Sequence, residues 1–234
     1  MKNLFKTSSL PLVLILLIAA AFRIPGIYWG DGDLLEGQFA RWHTDETTHV
    51  NIAKQFLKRD IDYGSNYVKG FGLQMAIAAA GKSIFLSHVS TNDLYSIGRW
   101  ISMFYGLAII VLLYIAIVSI SGGRSVALIA AGFMAICSLA VTNSHFAVAD
   151  SASSFWIWIT AFLCYYGINK SSDRIKLCAW ATCGMALAIK VSIAACAPIV
   201  IILVVSKERL KDMTVGLAIA FAVFMLANGC CVNA

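Results

Sequence analysis

Residues Arg99–Ile120, RWISMFYGLAIIVLLYIAIVSI, carry one charge at their first position and none after it. A bilayer core of about 30 Å needs about 20 apolar residues in helical form. A helix also satisfies its backbone polar groups internally, which hydrocarbon demands. The stretch therefore reads as a transmembrane helix. Similar runs lie on both sides of it: Leu10–Ile27 before, and Val126–Val141, Phe155–Ile168, Ile175–Ile189, Val191–Val205 and Met213–Leu226 after. Together they predict an all-α, polytopic membrane helix bundle of about seven transmembrane helices. Ala19-Ala20-Ala21 has the look of a signal-peptide cleavage region. The run continues towards Tyr28 and Trp29, an aromatic belt, which favours an uncleaved span.

The composition agrees. The 234 residues are 60% hydrophobic and 13% charged, and the mean hydropathy is +0.80. A soluble domain is about half apolar and about a quarter charged, so the soluble class is excluded. Three prolines and so little charge also exclude disorder and collagen. The net charge of +6 does not point to nucleic acid, because no basic run interleaves with exposed aromatics. The seven cysteines all lie in or beside apolar segments, and Cys230-Cys231 are adjacent. That spacing gives neither a disulfide framework nor a thiolate zinc site.

Charge assigns the sides. With the N-terminus cytoplasmic, the inner pieces Met1–Ser9, Ser121–Ser125, Asn169–Lys176 and Ser206–Asp212 hold nine basic residues and three acids. The stretch Gly30–Ile97 holds eight acids and six basic residues. This is the positive-inside pattern. It fails if Phe71–Leu86 is counted as a span. That segment, broken by Gln74 and Lys82, is expected to lie on the membrane surface as an interfacial helix. The reading gives one domain, 1–234, with a long outer loop at 28–97 and a second outer loop at 142–150.

Two acidic constellations fall on the outer side. The first is Trp42-His43-Thr44-Asp45-Glu46-Thr47-Thr48-His49, leading into an amphipathic segment. Thr44 or Asp45 is a natural N-cap. From there Asp45, His49, Ile52 and Phe56 share one face, with a membrane-seeking stripe below the acid. On the residues alone Asp45 reads first as a capping acid with solvated neighbours, ahead of a catalytic group, because Asp caps are common. His43, Asp45, Glu46 and His49 are all metal-ligand types, although the spacing is not HExxH. The second constellation is Thr142–Ser151, in which Asp150 suits both an N-cap and a second acid beside the first. Arg23, Arg99 and Lys190 lie at outer span ends. Snorkelling explains Arg23 and Arg99. Lys190 is flanked by apolar helix on both sides, and both snorkelling and a phosphate contact remain open for it.

These pieces together resemble the integral-membrane C-type glycosyltransferases, in the branch of protein O-mannosyltransferases and bacterial aminoarabinose transferases. The resemblance rests on Asp45-Glu46 within HTDETTH, the helix Val50–Leu57 and Gly98-Arg99-Trp100-Ile101-Ser102. It continues with Gly122-Gly123-Arg124, Ser144–Ser151 and Gly184–Lys190. Their order agrees over roughly Leu10 to Val205. The resemblance implies a sugar carried on a polyprenyl phosphate, with Asp45 as general base on an acceptor hydroxyl and inversion at the anomeric carbon. It also implies Glu46, Asp150 and His49 as groups that orient the acceptor or hold a metal, and Lys190 and Arg99 as lipid-phosphate ligands. No obligatory cofactor is implied, and a divalent metal ion is left open. The expected partners are the polyprenyl-phosphate-linked sugar, a glycan, lipid or protein acceptor, and membrane lipids. The expected location is a bacterial inner membrane.

The family is longer, so the chain is expected to be its N-terminal half, truncated. The competing expectation is an inactive remnant or a non-catalytic membrane partner. A transporter is disfavoured, since it would carry midplane charges and internal repeats.

Overall fold

A computed structural model describes residues 9–27, 43–60, 70–85, 89–192, 194–195, 197–198 and 210–228. Regular structure among them is helical. The helices are α1 (Leu10–Ile27), α2 (Thr44–Lys58), α3 (Gly72–Phe85), α4 (Thr91–Ser121), α5 (Arg124–Ile136), α6 (Ser138–Ser144), α7 (Ala149–Asn169), α8 (Asp173–Ile189) and α9 (Leu210–Ala227).

The all-α expectation holds, but the count of seven spans is not reached among the described residues. Only α1 and α4 are each long and apolar enough to cross a membrane, with a third span if the bent pair α5–α6 counts as one. Helix α7 opens on Asp150, Ser151, Ser153 and Ser154, and α8 on Asp173, Arg174 and Lys176. Those polar first turns shorten their apolar length. Most of Val191–Val205 lies outside the described residues, as do Tyr28 and Trp29. Exposed Leu14, Leu17, Phe104, Phe133 and Phe221 give α1, α4, α5 and α9 outward apolar surface that suits lipid.

Helix α4 begins eight residues before Arg99. Ser90 caps it: the hydroxyl accepts from Asp93 N–H at 3.1 Å, and the Asp93 carboxylate accepts from Ser90 N–H at 2.8 Å. This reciprocal capping box satisfies two otherwise orphaned donors. Gly122, at φ 69°, ends the helix in the left-handed region.

The run Val126–Val141 is not one straight helix. It breaks at Cys137 (ψ 115°), and the two pieces meet at 58°. A break removes the N–H partners of the preceding carbonyls. Arg23 supplies donors there: Nη1 donates to Ala135 O at 2.9 Å and to Ala19 O at 3.0 Å, and Nε to Ser144 Oγ at 3.3 Å. Arg23 is fully buried, so snorkelling is not its role.

Helices α7 and α8 form an antiparallel hairpin, whereas α8 and α9 run parallel. A side chain on Gly184 would meet the Ala220 carbonyl, and one on Gly216 would meet the Trp180 ring. The two contacts advance by four residues along each helix. Small residues allow this close approach. At the far end Asn228 caps the arrangement, its Oδ1 accepting from Phe71 N–H at 2.6 Å.

Helices α2 and α3 lie across one end of the bundle. Val50 and Ala53 of α2 join Leu73, Ile77 and Ala78 of α3, Leu94 and Ile97 of α4, Ala147, Ala152 and Ile189 in one core. Ile52 is 1% exposed. The stripe expected to seek lipid is therefore packed inside the protein. Burying each Val, Leu or Ile from water contributes about 1.5–3 kcal/mol, which holds the α2–α3 layer down.

Candidate functional site

A cleft of about 250 Å³ opens where this layer meets the bundle. Asp45 and His49, one turn apart on α2, line it together with Val148, Ala149 and Asp150 at the start of α7. Lys190 and Val191, just past α8, complete the wall. Four of the six expected site residues thus come together from three segments far apart in sequence.

Asp45 is exposed. The N-cap of α2 is neither Thr44 nor Asp45. It is His43, whose Nδ1 accepts from Asp45 N–H at 3.2 Å, and whose ring lies 5.3 Å from that of Phe146. The Asp45 carboxylate is not the capping group. Asp150 is likewise not an N-cap: Val148 holds that position on α7. Asp150 Oδ1 instead accepts from Lys190 Nζ at 2.6 Å, both side chains being part-exposed.

Glu46 points the other way. A helix turns about 100° per residue, so neighbouring acids diverge. Glu46 is 1% exposed and Arg99 is 0% exposed. Arg99 Nε donates to Glu46 Oε1 at 2.7 Å and Nη2 to Oε2 at 3.0 Å. Glu46 Oε1 also accepts from Ala147 N–H at 2.8 Å, and Arg99 Nη1 donates to Ile27 O at 3.1 Å. One buried, two-armed pair therefore ties the end of α1, α2, α4 and the second loop. Arg99 does not stand open to a phosphate, because its guanidinium is spent on Glu46 and Ile27.

The second loop is seated in a groove of small residues on α4. A side chain on Gly98 would meet Ala147, and one on Gly106 would meet the Ser144 hydroxyl. Between them Ser102 Oγ donates to Val148 O at 3.3 Å. His145 packs against Gly26, which has no room for a side chain, and its Nε2 lies 2.9 Å from Phe22 O. Burial pushes the His145 imidazole below its usual range; the Phe22 carbonyl opposes this, and Arg23 and Arg99 add to it.

The family model for dolichyl-phosphate-mannose-protein mannosyltransferases matches residues 34–234. The chain belongs to this family. No curated protein and no solved structure matches it. The mannosyltransferase family is one of C-type glycosyltransferases that use a lipid-linked sugar, and its members are membrane proteins. The match covers Asp45, Glu46, Arg99, Asp150 and Lys190.

Among the described residues, no group of three His, Cys, Asp or Glu side chains converges as a metal site. In this member of the mannosyltransferase family His43 caps α2 and Glu46 holds Arg99, so the four ligand types of HTDETTH do not form one set.

Two features of the site escaped the sequence reading. Gln74 is fully buried and its Nε2 lies 2.7 Å from His49 Nδ1. A glutamine on the same helical face as Ile77 and Ala78 is a signal, because buried polar groups need partners. The groove of α4 was also visible as Gly98, Ser102 and Gly106 at four-residue intervals.

Proposed function

We propose that the chain transfers a sugar from a polyprenyl phosphate to an acceptor hydroxyl at the outer membrane–water boundary. The observation that carries this reading is the cleft itself, which holds an exposed carboxylate, Asp45, across from the Lys190–Asp150 pair. Asp45 takes the proton of the acceptor hydroxyl. The acceptor oxygen attacks the anomeric carbon as the bond from that carbon to the phosphate oxygen breaks. The lipid phosphate leaves with the electron pair. One direct displacement inverts the anomeric carbon. A positioned base contributes about 10²–10⁴-fold.

Lys190 is the phosphate ligand of this reading. In exchange for Asp150 it takes the leaving phosphate, whose growing charge a fixed cation stabilises. Asp150, released, orients the acceptor. The Glu46–Arg99 pair positions the helix that carries Asp45. The family's substrate, dolichyl-phosphate mannose with a protein acceptor, supports a polyprenyl-phosphate hexose and a side-chain hydroxyl.

Seven spans, with the N-terminus cytoplasmic in a bacterial inner membrane, remain the proposed topology. Lys190 lies at the cleft end of the bundle. Asp212, at the start of α9, lies with Asp173 and Trp180 around a cleft at the other end.

The test is surface-glycan composition by mass spectrometry in three strains: a deletion, the deletion with the wild-type chain restored, and the deletion with Asp45→Asn restored. A sugar lost on deletion should return with the wild type alone. An unchanged glycan profile on deletion would remove the reading.

A further inference from the structure

Helix α8 stops where its own residues give no signal to stop. Residues 186–192 hold neither glycine nor proline, the usual helix terminators. Yet the helix ends at Ile189, and Lys190 takes an extended backbone, φ −149° and ψ 114°. Its side chain then lines the cleft, with Nζ 2.6 Å from Asp150 Oδ1.

The turn formed by Gly70, Phe71 and Gly72 lies against that end of the helix. A Cβ added at Gly70, whose φ is 67°, would meet the Ala188 carbonyl oxygen. One added at Gly72 would lie 3.1 Å from Ile189 Cγ1 and 3.2 Å from the same oxygen. Glycine permits this approach of backbone to backbone. Ile189 shares a core with Leu73 and Ile77 of α3.

Asn228, next to the end of α9, holds the turn. It is 4% exposed. Its Oδ1 accepts from Phe71 N–H at 2.6 Å, and its Nδ2 donates to Phe224 O at 2.8 Å. The Phe71 carbonyl accepts from Met75 N–H at 2.9 Å and so opens α3. The N–H at such a position has no partner within its own helix. Burying an amide costs free energy unless it is hydrogen-bonded. Leucine would fill the same place beside apolar α9 without that demand, so packing alone does not explain an amide here.

We infer that Asn228 and Gly72 are positioning residues for Lys190. Asn228 fixes the turn, the glycines let it sit against Ala188 and Ile189, and the seated turn ends α8 so that the lysine enters the cleft. The use of that lysine as a phosphate ligand rests on the glycosyl-transfer reading above; its placement does not.

The test is acylation of the lysines by a water-soluble N-hydroxysuccinimide ester, on the full chain in lipid nanodiscs, read residue by residue by mass spectrometry. Asn228→Leu removes the hold. Gly72→Ala keeps the polar contacts but pushes a methyl group at Ile189, and alanine does not by itself weaken a helix. In both variants Lys190 should lose its close pairing with Asp150 and react several-fold faster than in the wild type. Lys54, 3.0 Å from Thr91 where α2 meets α4, and exposed Lys82 should keep their rates. Gly132→Ala, with open space around its Cβ, should change none of them. Gly72→Ala decides alone where Asn228→Leu fails to fold. An unchanged Lys190 rate in Gly72→Ala overturns the inference. So does a rise at Lys54 together with Lys190, which would mean a loosened layer in place of a moved helix end.

Binding of a short polyprenyl phosphate, read by tryptophan fluorescence, adds the functional arm. Gly72→Ala should weaken it as Lys190→Met does, and the two changes together should weaken it no further. If Lys190→Met leaves binding unchanged, the phosphate role of Lys190 falls, and the acylation rates still decide the seat.

Discussion

Arg99 closes on Glu46 with two arms, at 2.7 and 3.0 Å, in a site that solvent does not reach. The preceding residue, Asp45, lines the open cleft. Two adjacent acids thus serve opposite ends of one device. One anchors α2 to α4 and the second loop, and the other is presented to whatever enters.

The anchor should cost stability when cut. Breaking a buried pair by removing one partner costs about 3–5 kcal/mol, because a buried charge is left alone. Glu46→Gln and Arg99→Met should each lower the melting temperature in detergent. The double variant should recover part of the loss, which a thermodynamic cycle over the four proteins would measure.

Asp45→Asn should behave in the opposite way. The side chain is exposed and is not the cap of α2, so the melting temperature should stay within the small range usual for surface changes, about ±0.5 kcal/mol. Transfer from a synthetic polyprenyl-phosphate sugar should fall by about 10²–10⁴-fold. Retained transfer would end its assignment as the base.

The Lys190–Asp150 pair gives a prediction of sign. Part-exposed pairs contribute about 0–1 kcal/mol, so neither partner matters much for stability. If Asp150 holds Lys190 until phosphate arrives, Asp150→Asn should tighten binding of a polyprenyl phosphate while slowing transfer. Lys190→Met should weaken that binding. Titration of the lipid phosphate against intrinsic tryptophan fluorescence would read both.

His145 sets a pH dependence. Burial lowers its pKa in the folded chain. Between that lowered value and the unfolded value of about 6.5, the unfolded chain binds more protons. Stability is therefore full above the unfolded value and falls as pH drops below it. The wild type should melt earlier at pH 5.5 than at pH 7.5, and His145→Asn should narrow that difference.

The groove on α4 is sterically defined. Gly98→Ala would bring a Cβ to 2.5 Å from Ala147 Cβ and 3.0 Å from Ile77 Cδ1. Overpacking of this kind costs about 1–3 kcal/mol. Gly132 has nothing within 4 Å of its added Cβ, so Gly132→Ala should be neutral or stabilising, by up to about 1 kcal/mol in a helix. Melting curves of the two variants make the comparison.

Much of this was legible in the residues. Apolar length gave α1 and the body of α4, since a run such as Ala108–Ile120 has no other stable state in hydrocarbon. The ends of α1 and α8, the starts of α4 and α7, and α2 were all expected on one side from charge alone. The Glu46–Arg99, Arg99–Ile27 and Lys190–Asp150 contacts bring them to one end of the bundle. The start of α4 was missed although Ser90 and Asp93 spell a capping box. The break at Cys137 has no proline or glycine to announce it, and it is Arg23, over a hundred residues earlier in the chain, that serves the carbonyls it frees.

The sequence by itself determined an all-helical membrane chain and pointed to Asp45, His49, Asp150 and Lys190 as belonging to one face. Those follow from hydropathy, periodicity and charge, which are local or additive along the chain. Only the tertiary structure decided that Glu46 turns inward while Asp45 does not, that Arg99 is an anchor, and that Gln74 meets His49. Each of these depends on which partner lies across an interface. Adjacent acids on a helix are alike in sequence until packing buries one of them, and desolvation then demands a counter-charge at that residue alone.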